Sequence, residues 1–315
     1  MNIEAISRSK YKTGNRPGDD VILIEPDQVL AVFDGATDPT GADYQGESSG
    51  RIAARAAARC ISELLAKNAL EQESAASIFQ AVSDAVKAAA ADCRIAHPPS
   101  TTAAIAVKGK DTLRILALGD TGIRINGKSV FQHHKIIDTV STAARISVFK
   151  TLKARMGAVD DAEYATRRTI FLGLAASIDE GHVTRDEAED AMDAATRASG
   201  LERGLVSEFL LGGIRTQFHY ANARHELGYT SLNGGEIQGD GTTDLRLPIS
   251  EVGTIEIFSD GYVSIPESGT TCSDWEAEFA RVEQEDFHKT GLFPAVKGST
   301  SLETCDDRTV ISVSF

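Results

Sequence analysis

Cysteine is scarce in this chain. The four present, Cys60, Cys93, Cys272 and Cys305, are too far apart for a zinc-type C-x-x-C pair or a dense disulfide framework. They read as reduced thiols, which makes the cytoplasm the expected location. Long apolar runs are also missing. No segment approaches the roughly 20 residues that span a bilayer, and residues 1–16 lack the apolar core of a signal peptide. Positive charge is in deficit, with 32 Lys and Arg against 46 Asp and Glu. The resulting net charge of -14 argues against nucleic acid or an anionic membrane as a partner, because phosphate surfaces reward clustered cations. A local basic stretch, Arg145, Lys150, Lys153, Arg155, Arg167 and Arg168, reads as a solvated helix face.

Aspartate is plentiful, and its placement is informative. Apolar stretches at 29–33, 113–118 and 254–258 run into Asp34, Gly119-Asp120 and Ser259-Asp260, and a fourth at 309–313 follows Asp306-Asp307. A carboxylate at the end of a buried strand stands where the sheet meets solvent, so several can converge on one oxygen-lined site suited to a hard cation such as Mg²⁺ or Mn²⁺. The alternative, that each aspartate only begins a turn, accounts for one instance better than for four.

Two hairpins are expected, at 21–25 with 28–33 across Pro26-Asp27, and at 102–107 with 112–118. Between them, Ser48 or Ser49 caps a helix over 50–67, and an Ala-rich helix covers 74–94 before Pro98-Pro99. The middle of the chain, about 133–228, is helical in pattern, with runs at 146–156, 160–178, 184–199 and 201–211. Within it, 179–190 has the outline of a calcium loop, but Gly181 and Val183 stand where oxygen ligands belong, which excludes it. Strands resume after Asn233-Gly234 and are expected to run to the end of the chain.

Six motifs in order resemble the metal-dependent Ser/Thr protein phosphatase family, type 2C, in a divergent bacterial-type form. They are Gly14-Asn15-Arg16 with Asp19-Asp20, Asp34-Gly35-Ala36-Thr37, Ser100-Thr101-Thr102-Ala103, Leu118-Gly119-Asp120-Thr121, Phe258-Ser259-Asp260-Gly261 and Asp306-Asp307-Arg308-Thr309. The resemblance implies an α+β fold, a four-layer α-β-β-α sandwich of two antiparallel sheets. Residues 1–315 would then form one catalytic domain with a divergent helical subdomain at about 133–228. The implied activity is hydrolysis of phosphoserine and phosphothreonine in proteins, with a phosphorylated protein as partner and two Mg²⁺ or Mn²⁺ ions as cofactors.

By the same resemblance, Asp34 bridges the two ions, the Gly35 carbonyl helps bind one of them, and Asp260 and Asp306 complete the other shell. Asp34 and Asp260 are the catalytic candidates. Where the family carries a Glu four positions after its phosphate-binding Arg, this chain has Asp20 after Arg16, with Asp19 as the competing alignment. Arg16 suits a phosphate because its planar fork makes paired hydrogen bonds. Two departures stand out. Ala36 replaces a His that many members use to protonate the leaving oxygen, and Gln132-His133-His134 replaces an Asp-His pair that serves a third metal, leaving His133 as the candidate there. Ala36, the Asp-for-Glu change and His133 also keep open a catalytically weak module that binds phosphoproteins, and a small phosphoester remains an alternative substrate.

Overall fold

The computed structural model describes residues 1–38 and 40–315. The strand β3 (Val29–Gly35) shows how its sequence makes the architecture. Successive side chains of a strand point to opposite faces. Val29, Ala31 and Phe33 therefore join one apolar cluster, while Leu30 and Val32 join another. A strand covered on both faces needs an unbroken apolar run, which is what 29–33 supplies.

The other strands are β1 (Asn2–Arg8), β2 (Val21–Glu25), β4 (Thr101–Lys108), β5 (Thr112–Leu118), β6 (Gly122–Ile125), β7 (Ser129–Phe131), β8 (Thr242–Pro248), β9 (Thr254–Phe258) and β10 (Arg308–Ser314). They form two five-stranded antiparallel sheets, ordered β2-β3-β4-β5-β8 and β1-β10-β9-β6-β7. The sheets pack face to face through Leu30, Val32, Ala104 and Ile115 of the first and Ile123, Ile255, Ile257 and Ile311 of the second. Helices α1 (Ser49–Ala66), α2 (Ala69–Gln72) and α3 (Ala75–Asp92) cover the outside of the first sheet, burying Ile61, Phe79 and Val82 against Phe33 and Ile105. On the outside of the second, α9 (Cys272–Glu285) sets Trp275 against Phe258, ring centroids 4.6 Å apart, beside Tyr262 and Val310. The four expected layers are present.

These layers belong to one compact unit, Met1–His134 with Thr230–Ala280 and Asp306–Phe315. A second unit comprises Lys135–Tyr229 and Arg281–Cys305. It contains α4 (Ile136–Met156), α5 (Val159–Leu172), α6 (Leu174–Asp179), α7 (Arg185–Ser199) and α8 (Arg203–Gly212), gathered around Val140, Phe149, Ile170, Met192 and Phe209. Thr184 closes the start of α7 with a reciprocal capping box to Glu187. The helix expected over 160–178 is broken because Gly173, at φ +91°, lies against the backbone of Leu211 and Gly212, where a side chain has no room. Residues 281–305, expected among the strands, instead complete this helical unit.

The reading of Arg145 as part of a solvated face is overturned. It is fully buried, donating to Glu163 Oε2 at 2.5 Å and to the carbonyls of His288 at 2.6 Å and Lys289 at 3.1 Å. A single guanidinium from α4 thus holds the irregular 286–295 segment, and Glu163 of α5 neutralises it. Elsewhere the four cysteines form no disulfide, and no helix among the described residues is long and apolar enough to cross a membrane.

Removing one partner of a buried ion pair strands the other charge, at a cost of about 3–5 kcal/mol. Arg145→Ala is expected to lose that much stability in urea unfolding, whereas Arg168→Ala, whose ion pair with Glu180 is exposed, should leave the unfolding midpoint unchanged. Equal midpoints for the two variants would remove Arg145 as the organising contact.

Candidate active site

Strand pairing brings the aspartates to one end of the sandwich. Val21 pairs with Phe33, so Asp20, just before β2, and Asp34, near the end of β3, stand side by side at the edge of the first sheet. In the second sheet Phe258 pairs with Val310, and Ser259 N donates to Thr309 O at 3.0 Å. That contact brings the 259–261 turn against the backbone of Asp307 and Arg308. Gly261 is required at this crossing, because a Cβ there would run into the Asp307 carbonyl.

The electrostatics register how close these groups are. Burial first, then the charges of Asp20, Asp120 and Asp306, hold the Asp34 carboxyl well above its ordinary range, while a carboxyl–carboxyl hydrogen bond with Asp260 works the other way. Burial, followed by Asp307, pushes Asp20 up to about 8. Among the described residues, no three His, Cys, Asp or Glu side chains close on a single ligand position.

Asp20 and Asp19, the two alignments for one ligand, differ in their surroundings. Asp19 Oδ1 accepts from the Ser48 hydroxyl, which also caps α1 by accepting from Arg51 N, and Asp19 Oδ2 lies 3.6 Å from Lys10 Nζ. Asp20 Oδ2 accepts from Ser259 Oγ at 2.7 Å, but its buried Oδ1 has no hydrogen-bond partner. An orphaned carboxylate oxygen within a group of mutually repelling carboxylates is the donor chemistry of a hard divalent cation. Gly35 fits the same purpose: a Cβ there would stand 2.5 Å from Gly50 O and 2.8 Å from Asp19 O, so only glycine lets β3 and the start of α1 approach so closely beside Asp34. The residues present therefore fit Mg²⁺ or Mn²⁺.

The other expected residues make different contacts. Arg16 is exposed on the loop between β1 and β2, its guanidinium 4.6 Å from the centroid of the Tyr11 ring. His133 is half-buried, with Nε2 3.0 Å from Thr243 Oγ1 on β8 and its backbone N–H donating to Gly119 O. Its neighbour Gln132 donates to Asp120 O at 2.7 Å. Asp120 itself is buried and close enough for its charge to act on Asp34.

Lys10 is the residue that sequence reasoning missed. It is buried, and its Nζ lies 3.5 Å from Asp307 Oδ2 and 3.9 Å from Asp306 Oδ1. Burial disfavours this ammonium, yet Asp306, Asp307 and Asp19 together outweigh burial and keep its pKa above the ordinary lysine value. No local motif marks Lys10. The only available signal is the pairing of β1 with β10, Arg8 to Arg308, which carries the residues just beyond β1 to the Asp306-Asp307 turn.

Comparison with known proteins follows from this geometry. The catalytic domain of the serine/threonine phosphatase PstP, in complex with two manganese ions, shares 13% identity at a TM-score of 0.47, covering 99% of this chain and 97% of that one. Stp1 of Staphylococcus aureus shares 12% at a TM-score of 0.47, covering 100% and 95%. PppA of Pseudomonas aeruginosa shares 10% at 0.44, covering 100% and 99%. No curated protein matches the sequence. The family model described as Protein phosphatase 2C matches residues 8–208, more than half of the chain, and the chain belongs to that family.

Proposed function

We propose that this chain is a metal-dependent protein phosphatase acting on phosphoserine and phosphothreonine, with residues 1–315 working as one catalytic domain that includes the helical subdomain at about 133–228. The observation that carries this reading is the buried, partnerless Oδ1 of Asp20 beside Asp34, at the sheet end that also holds Asp260 and Asp306. A module that only bound phosphoproteins would have no use for a carboxylate oxygen stranded in this way.

In this reading Asp34, Asp20, the Gly35 carbonyl, Asp260 and Asp306 would together hold two Mg²⁺ or Mn²⁺ ions. When bound, two such ions supply an acidic water and the positive charge that phosphoryl transfer requires. Ser259 holds the Asp20 side chain through its Oδ2, which would leave Oδ1 for an ion. Arg16, exposed and backed by Tyr11, receives the phosphate of the incoming residue. Ala36 has no proton to give, so the general-acid assistance worth about 10²–10⁴-fold is not supplied from that position.

Phosphate release from a phosphothreonine peptide should require Mn²⁺ or Mg²⁺ and stop with a chelator. Asp34→Asn and Asp260→Asn should abolish turnover while far-ultraviolet circular dichroism is retained. Full activity of metal-free protein would sink the two-ion reading, and unfolding of both variants would make these aspartates structural.

For Arg16→Ala the loss should appear mainly in KM, since a phosphate contact is made in ground and transition states alike. A charge-assisted hydrogen bond contributes about 1.5–3 kcal/mol, so kcat/KM should fall by roughly 10- to 150-fold. An unchanged kcat/KM would move the phosphate contact to another cation.

The carboxylates also set a pH dependence. A carboxyl whose pKa is higher folded than unfolded binds its proton more tightly in the folded state, so its contribution to stability declines as pH rises through the interval. For Asp20 that interval runs from its ordinary 3.8 to about 8. With divalent ions chelated, Tm should fall between about pH 5 and pH 8, and Asp20→Asn should flatten the slope. A Tm that climbed over this range would contradict the assignment.

A further inference from the structure

We propose that the Lys10 ammonium is a built-in counter-ion of the carboxylate site, one that stabilises the ion-free protein and, for that reason, weakens its hold on divalent metal. The inference rests on the metal-site reading above.

The geometry is that of a hub. Lys10 Nζ lies 3.5 Å from Asp307 Oδ2, 3.6 Å from Asp19 Oδ2, 3.9 Å from Asp306 Oδ1 and 3.5 Å from Thr37 Oγ1. Those partners come from three chain segments: the loop before β2, the turn after Asp34-Gly35, and the turn before β10. The position is anchored by the backbone as well, since Lys10 N donates to Asp307 Oδ1 at 2.7 Å. Asp19 N donates to the other oxygen of Asp307 at 2.9 Å, and Gly18 leaves room for that carboxylate, because a Cβ there would stand 2.8 Å from Asp307 Oδ1. Lys10 is 9% exposed, so solvent screens its charge weakly.

Lys10 and a divalent ion held by Asp306 are both cations acting on the same carboxylate. Without the ion, the ammonium offsets repulsion among Asp19, Asp306 and Asp307. With the ion bound, that repulsion is already offset and the two cations repel each other. Lys10 therefore stabilises the ion-free state more than the loaded state. Closure of the thermodynamic cycle then requires that it lower metal affinity, because an interaction favouring one state opposes the ligand that selects the other.

The test uses the full chain with Lys10→Met and Lys10→Arg, melted in a chelator and in saturating Mn²⁺, with Mn²⁺ affinity measured by calorimetry. For Lys10→Met, Tm in the chelator should fall by about 5 °C, and the deficit should narrow in Mn²⁺. Its Kd for Mn²⁺ should tighten by about tenfold. Lys10→Arg keeps the charge and should follow the wild type in all three measurements. Folding of Lys10→Met only in the presence of Mn²⁺ would support the proposal in its strongest form. If that variant folds in neither condition, Lys10→Gln is measured against the same expectations. An equal Tm loss in both conditions with unchanged Kd would overturn the proposal and reduce Lys10 to a packing role. Weaker Mn²⁺ binding would overturn it in the opposite sense, making Lys10 a support for the metal ligands. A wild type that binds no Mn²⁺ would remove the metal-site reading and this inference together, an outcome distinct from the other two.

Discussion

Repulsion between carboxylates brought together out of water is the interaction around which the larger unit is organised. Two like charges about 4 Å apart oppose each other by roughly 4 kcal/mol at the effective dielectric typical of protein sites. The meeting of Asp20, Asp34, Asp260, Asp306 and Asp307 at one end of the sandwich is opposed by burial and by their mutual charges, which the Asp34–Asp260 hydrogen bond offsets only in part. It is imposed by the sheets, whose facing residues, such as Val32, Ile115, Ile257 and Ile311, are excluded from solvent and fix the register. A slip of one residue in β3 would turn Leu30 and Val32 toward the helices and point Asp34 the wrong way. Hydrophobic burial thus holds charges where they can be useful.

The helical unit solves its charge problem differently. Arg145 and Glu163 are both fully buried, and each finds further partners, Arg145 in backbone carbonyls and Glu163 in Arg167 and the Gly298 N–H. Nearly every polar group of that cluster is satisfied, so it fixes structure and leaves little capacity for a ligand. The sheet end is the reverse case. There the acids outnumber their partners, and one buried oxygen of Asp20 is left over.

Much of the fold was legible because its signals are local. Both hairpins, the Ser48 cap and the apolar runs ending in aspartate all depend on neighbouring residues, and β2, β3, β4, β5, α1 and α3 lie close to where they were read. The failures are non-local. Burial of Arg145 depends on Glu163 and on carbonyls more than a hundred residues away, which no helical periodicity reveals. Lys10 is invisible for the same reason, since its role exists only once β1 pairs with β10. The contact of the His133 ring with Thr243, 110 residues away, is equally hidden from a local reading. The break at Gly173 is the exception: a glycine inside a helical pattern was a local signal that deserved more weight.

The position of β10 bears on the order in which the protein is made. The strand β10 lies between β1 and β9, so β1 has no neighbour in its sheet until β10 has been made. During translation β1 must remain unpaired while some three hundred residues follow it. Contacts of such sequence separation form late and slowly, and an unpaired strand edge invites association with other chains. Asp306 and Asp307 reach the carboxylate group with that same strand. A chain in which β10 has not yet been made therefore lacks two of the carboxylates that meet at the sheet end.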